Sequence, residues 1–266
     1  MTETITSLQN TTVKLAASLK QRKHREAAGM FIAEGVRLVE EAIASNWQIE
    51  ACLFTEQAVS AKRVQAMLRT LTEKGVRTIQ VSEPVYAKIS DTEQPQGIMA
   101  LIRRNSCTLQ TALGTERPLL VILDGLQDPG NLGAVIRTAD AAGATAVILL
   151  KGCTDIYAGK AVRATMGSMF HLPVVERVDH EALISLLEEK GIALLATSLD
   201  AARSYFTIDF KQPAAIVFGN EGQGVSRVLL DKAKERIYIP ILGRAESLNV
   251  AASAAVILYE AVRQRC

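Results

Sequence analysis

A doubly wound α/β fold with a mostly parallel sheet is predicted for the C-terminal part of this chain, preceded by a small α/β domain. Two observations predict it. Short runs of Val, Ile and Leu alternate with helical stretches from residue 118 onward, the pattern of strands buried on both faces and joined by crossover helices. In addition, Asn131-Leu132-Gly133, Phe218-Gly219-Asn220-Glu221-Gly222 and Ile239-Pro240-Ile241 leading to Ser247-Leu248-Asn249-Val250 all run from an apolar strand into a turn or loop. Such turns fall at the carboxyl ends of strands, where open α/β sheets bind ligands. They can meet only if their strands are neighbours, so one composite pocket is expected.

The elements follow in order. Residues Thr11 to Ala28 have helical composition, Met30 to Ala33 form a short strand, and Gly35 opens a helix with Val36, Val39, Ala42 and Ile43 at helical spacing. Ile49 to Thr55 is a strand, 61–74 a helix, Thr78 to Val81 a strand, Pro84 to Ser90 a helix and Gly97 to Arg103 a strand. The polar run Asn105 to Arg117, ending at Pro118, marks a linker. The predicted division is therefore 1–105, a linker at 106–117, and 118–266. In the last part, strands are expected at Leu119–Leu123, Ala146–Leu150, Pro173–Val175, Ala193–Thr197, Ala214–Phe218 and Arg236–Ile239. Helices are expected at about 129–142, 160–169, 181–190 and 249–263.

Composition narrows the class. With 48% apolar and 22% charged residues the chain has a substantial core, and no apolar run approaches the length of a membrane span. No signal-peptide pattern opens it, so a cytoplasmic location is expected. The four cysteines form no CxxC pair and the three histidines show no ligand spacing, so no disulfide framework and no metal are expected. Net charge is only +2, but residues 1–105 carry 14 Lys/Arg against 11 Asp/Glu. Lys14, Lys20, Arg22, Lys23 and Arg25 occur with no acid between Glu3 and Glu26. On charge alone this is either a phosphate-binding patch or a solvated helix face.

The turns carry the chemistry. Asp128 can cap a helix that Pro129 starts. Gly130, Gly133 and Arg137 then share one helix face, leaving space beside the arginine; an ion pair with Asp140 is the structural alternative. Asn131 is either a site residue or a plain turn residue. The Gly219–Gly224 turn lacks both the Walker A ending and the GxGxxG fingerprint, leaving closely approachable backbone and one acid, Glu221. Glu221 is suited to a ribose, an ammonium or a base edge. Behind Ser247 and Asn249 the helix from Val250 is apolar on nearly every side, which predicts burial and a protected position for both residues; a helix cap by Ser247 is the alternative.

Taken together, DPGNLGAVIRTADAAGA, IVFGNEGQGVS and IPILGRAESLNVAASAAVILYE resemble, in order, the three motifs of the SpoU-type branch of the SPOUT RNA methyltransferases. The resemblance covers about residues 118 to 266. The first third, with its basic helix followed by Phe31-Ile32-Ala33-Glu34-Gly35, looks like the RNA substrate-binding domain often fused in this family. That domain is similar to small RNA-binding ribosomal proteins.

The resemblance implies 2′-O-methylation of a ribose from S-adenosyl-L-methionine, without a metal. It implies a C-terminal trefoil knot, where spacing alone favours an unthreaded sheet, and a homodimer formed beside the knot. Carried over by position, Thr197, Gly219, Ile239 and Leu248 hold the cofactor. Arg137 matches the arginine that activates the 2′-hydroxyl, with Asn131, Glu221, Ser247 and Asn249 organising substrate and arginine. The basic residues of the first domain become RNA contacts. Because arginine scarcely gives up its proton, stabilising the developing alkoxide is the sounder role for Arg137. Structured RNA, ribosomal in the first place, is the expected partner. Transfer RNA is the alternative substrate, and a catalytically silent ribosome-assembly factor or a nicotinamide-dependent oxidoreductase the alternative classes.

Overall fold

The computed structural model describes residues 4–114 and 116–266. The chain divides into two compact units, Met1–Asn105 with Asp155–Phe170, and Ser106–Thr154 with His171–Cys266.

The first unit contains α1 (Thr11–Ser18), α2 (Arg22–Ala28), β1 (Met30–Glu34), α3 (Val36–Ala44), β2 (Ile49–Phe54), α4 (Glu56–Val59), α5 (Lys62–Glu73), β3 (Arg77–Gln80), α6 (Glu83–Ile89) and β4 (Ile98–Arg103). Its sheet has the order β1-β4-β2-β3, with β4 antiparallel to both neighbours and β2 parallel to β3. Val13, Ala16 and Leu19 of the first helical stretch, Tyr86 and Ile89 of α6, and Leu53, Met99 and Leu101 of the sheet form its core.

The stretch of helical composition over Thr11–Ala28 forms two helices. Asn10 caps α1 through Oδ1, which accepts the Thr12 N–H at 2.9 Å, and the chain leaves helical geometry at Gln21. The break is stapled by Arg25, only 5% exposed, whose Nη1 donates to the carbonyls of Leu19 and Lys20 at 2.9 and 2.8 Å. Its Nε and Nη2 donate to Asp155 Oδ2 at 3.1 and 2.6 Å. Charge counting put Arg25 in a surface patch; tertiary packing buries it instead.

The second unit contains α7 (Leu109–Ala112), β5 (Leu119–Asp124), α8 (Pro129–Ala141) and β6 (Ala146–Leu150). After the excursion α9 (Gly159–Thr165), which belongs to the first unit, come β7 (Val174–Val178), α10 (His180–Lys190), β8 (Ala193–Thr197), β9 (Arg203–Ser204), β10 (Ala214–Gly219), α11 (Arg227–Lys232), β11 (Glu235–Tyr238) and α12 (Val250–Arg265). The sheet is parallel throughout, in the order β7-β6-β5-β10-β8-β11-β9. The order runs outward from β5 in one direction and then continues on its other side, where β10 lies between β5 and β8. The loops after β5 and β10 therefore flank a switch point, the position where such sheets open a binding crevice.

Two expectations about organisation are corrected. The stretch 106–117 is not simply a linker: Thr108 and Thr111 form a capping box around α7, and Cys107, Leu109 and Leu113 pack on the core of the second unit. Residues 155–170 leave the second unit altogether. Tyr157 and Phe170 lie 4.9 and 6.3 Å from the Phe31 ring, centroid to centroid, with Trp47 edge-on to Phe31 and Phe170. Met166 and Gly167, at φ 52° and 103°, make the sharp bend that ends α9. A Cβ on Gly167 would stand 2.5 Å from Glu41 Cγ, so this contact needs glycine.

The last helix is not buried all round. Ala254, Ile257, Leu258 and Ala261 face the core, but Val256 and Tyr259 are 36% and 53% exposed. A helix apolar on every side needs cover on every side, and one copy of the chain covers half of it.

Candidate active site

Helix α8 begins as its sequence dictates: Pro129 occupies the first turn, and Asp128 accepts the Asn131 N–H at 2.8 Å. The cap fixes the backbone of Asn131 and leaves its side chain free to reach across. Asn131 Nδ2 donates to Glu221 Oε1 at 3.1 Å, and Asn131 Oδ1 accepts from Asn249 Nδ2 at 3.0 Å. Asn249 in turn caps α12, its Oδ1 accepting from the N–H groups of Ala251 and Ala252 at 2.9 and 3.4 Å. One chain of polar contacts thus joins the three separated turns, and the helix cap at this end is Asn249 rather than Ser247.

The loop after β10 is held closed from within. Asn220 exchanges main-chain hydrogen bonds with Gly224, at 3.0 and 2.9 Å, and its Oδ1 accepts from the N–H groups of Gly222 and Gln223. Its Nδ2 donates to the Gly125 carbonyl at 2.8 Å, tying the loop to the end of β5. Gly219 has no room for a side chain: a Cβ there would lie 2.1 Å from the carbonyl carbon of Gly224. Burial acts to raise the Glu221 carboxyl, but hydrogen bonds from Asn131 and from backbone N–H groups outweigh it and hold the group below its ordinary value. Glu221 therefore stands ionised as an acceptor.

The other expected residues are placed as follows. Arg137 and Ser247 are exposed and make no side-chain hydrogen bond or ion pair among the described residues, so the Arg137–Asp140 pair does not form. Thr197, at the end of β8, donates its hydroxyl to the Val217 carbonyl at 2.9 Å. Ile239 lies just beyond β11, Leu248 is exposed, and Leu242 between them is 98% exposed. Asn249 is exposed as well. The protected position expected for Ser247 and Asn249 is therefore absent in a single copy, for the same reason that α12 is half bare.

Of the basic residues in the first unit, Lys14, Arg22 and Lys23 are exposed, Arg22 beside Glu26 at 2.9 Å. Lys20 is engaged like Arg25: its Nζ donates to the carbonyls of Lys88 and Ser90 at 3.0 and 2.7 Å, 3.4 Å from Asp91. Counting charges does not reveal which cations have found carbonyl partners.

Residues that were not singled out also shape the site. Asn220 organises the whole loop, and an asparagine in a glycine-rich turn is a residue type whose side chain bonds to main chain two residues on, here the Gly222 N–H. Asp124 ends the otherwise apolar β5 and is 6% exposed. Its Oδ2 accepts the Ser226 N–H at 2.8 Å, and His180 Nε2 lies 3.4 Å from its Oδ1.

Both parts of the chain have counterparts among known proteins. Residues 118–259 match the SpoU rRNA Methylase family and residues 10–100 the MRM3-like substrate binding domain. The 23S rRNA (guanosine(2553)-2′-O)-methyltransferase RlmP of Bacillus subtilis is 38% identical over 96% of this chain and 97% of its own. The crystal structure of AdoMet-bound rRNA methyltransferase from Sinorhizobium meliloti superposes with a TM-score of 0.90 at 34% identity, covering 100% of this chain and 99% of that one. The SpoU methyltransferase AviRb from Streptomyces viridochromogenes, in complex with AdoMet, gives 0.87 at 30% identity, covering 96% and 99%. With three motifs joined by hydrogen bonds and both of its parts matched, this chain belongs to the SpoU rRNA methylase family.

Proposed function

We propose that this protein transfers the methyl group of S-adenosyl-L-methionine to a ribose 2′-hydroxyl in structured RNA, ribosomal RNA being the substrate. The observation that carries this reading is the contact chain Glu221–Asn131–Asn249, which gathers three turns around the switch point of the sheet. The residues present suit the cofactor. The closed Gly219–Gly224 loop offers main chain where no side chain fits, with Ile239, Leu248 and Thr197 on the neighbouring strand ends and loop. When bound, the sulfonium supplies a methyl carbon that is already electrophilic.

What the protein must add is alignment and charge stabilisation. Arg137, exposed and unpaired among the described residues, is the group to face the ribose oxygen as it loses its proton. It acts by stabilising negative charge, since a guanidinium is a poor proton acceptor. Asn131 and Glu221 hold the turn that carries the cofactor against the helix that carries Arg137. Asn249 fixes the start of α12, and Ser247 is left as a donor toward substrate.

The bare face of α12, with Ala252, Val256 and Tyr259, supports a homodimer in which a second copy covers this helix and shields the exposed site residues. The insertion of β10 between β5 and β8, with α12 packed on α8, is compatible with a trefoil knot in the C-terminal segment. Lys14, Arg22 and Lys23 are the proposed RNA phosphate contacts of the first unit, and the cytoplasm is the proposed location. Incubation with methyl-labelled S-adenosylmethionine and unmodified 23S rRNA tests the reading. Label on a ribose supports it, and label on base or protein rejects it.

A further inference from the structure

We infer that Asp124 is a positioning residue for the cofactor loop, setting the place of its far end. The proposal rests on the reading that Gly219–Gly224 holds S-adenosylmethionine. The loop is anchored at both ends where β5 stops, on Asp124, its last residue, and on Gly125 just beyond it. Its entry is held by Asn220 Nδ2 on the Gly125 carbonyl at 2.8 Å, and its exit by the Ser226 N–H on Asp124 Oδ2, also at 2.8 Å. Asp124 lies in register with Gly219 across the β5–β10 pair, so one strand end fixes both points between which the loop closes.

The carboxylate is expensive to keep there. It is 6% exposed at the end of a strand whose other five residues are apolar, and a buried charge is retained only with partners. The groups that face it come from two directions: the Ser226 N–H from the start of α11, and His180 Nε2, at 3.4 Å, from the start of α10. Ser226 occupies the N-cap of α11 but makes no side-chain cap; its hydroxyl lies 3.2 Å from His180 Nε2 instead. The helix thus forgoes the usual use of a capping serine, and the N–H and hydroxyl of this residue are both directed to the Asp124–His180 pair. The arrangement resembles a nucleophilic triad only in composition: one ring nitrogen faces both the acid and the hydroxyl, so the serine is not activated by a second nitrogen.

The test is calorimetric titration of the full chain with S-adenosylmethionine, beside turnover on an unmodified 23S rRNA transcript. Asp124→Ala is expected to weaken cofactor binding by about tenfold or more, while kcat at saturating cofactor and KM for RNA stay near wild type. Asp124→Asn keeps an oxygen for the Ser226 N–H and is expected to bind within about threefold of wild type. If Asp124→Ala fails to fold, two Ser226 variants decide. Ser226→Pro removes the N–H at a backbone φ of −59°, which the proline ring accepts, whereas Ser226→Ala removes the hydroxyl alone. Weaker cofactor binding in the proline variant than in the alanine variant supports the proposal; equal binding overturns it. Unchanged binding in a folded Asp124→Ala also overturns it. Failure of the wild-type protein to bind S-adenosylmethionine would instead reject the reading on which the proposal rests.

Discussion

Arg137 projects from α8 with no side-chain partner among the described residues, so the fold loses little when it is shortened, and any loss of turnover reports on the reaction. Arg137→Ala is expected to abolish methyl transfer while leaving the thermal midpoint and cofactor affinity near wild type; retained turnover in a kinetic assay would remove Arg137 from the mechanism. Gly219→Ala makes the opposite prediction. The added methyl collides with the Gly224 main chain, so cofactor binding should fall together with about 1–3 kcal/mol of stability, measured by calorimetric titration and denaturant unfolding. Glu221 gives a test with a sign. Its carboxyl lies below the ordinary 4.5, so its link to Asn131 is present above that pH and is lost only as pH falls further, through the lowered value. A side-chain NMR titration of Glu221 with a midpoint above 4.5 would contradict the contact. At this scale the turns that bring Asn131, Glu221 and Asn249 together were legible in the sequence, because turn geometry and short polar side chains are local properties. Lys20 and Arg25 were misread because the carbonyls and carboxylate that take them up lie elsewhere in the chain or at a break in the helix that composition does not show.

Among the elements, the apolar strands were the easiest to read, since burial on both faces leaves an unbroken run such as Leu119–Leu123. Helix α12 was harder. Its composition demands cover on all sides, and sequence cannot say whether the cover comes from the same chain. Its exposed face predicts that replacing both Val256 and Tyr259 by Glu turns a dimer into a monomer in size-exclusion chromatography with light scattering. A wild-type protein that is already monomeric would contradict the homodimer. The stretch Asp155–Phe170 was unreadable for a similar reason. Its helical pattern shows an amphipathic segment, but not which core receives it.

For the whole molecule, the N-terminal unit is completed by a segment that sequence places inside the C-terminal half. Arg25 and Asp155 are the polar fastening of that segment, with side chains 6% and 12% exposed. Asp155→Ala leaves the buried Arg25 guanidinium with its two carbonyl acceptors but no counter-charge, and is expected to cost about 3 kcal/mol in denaturant unfolding; a loss below about 1 kcal/mol would show the pair to be dispensable. The wider division into a substrate-binding part and a catalytic part rests on matched families, and the chemistry on three turns drawn together at one switch point. The most direct test of that chemistry is to map the modified position in unmodified 23S rRNA after incubation with the protein and methyl-labelled S-adenosylmethionine. The label is predicted on a single ribose 2′-oxygen, in wild type and not in Arg137→Ala. Label on a base, on the protein, or in equal amount with the arginine variant would contradict the account.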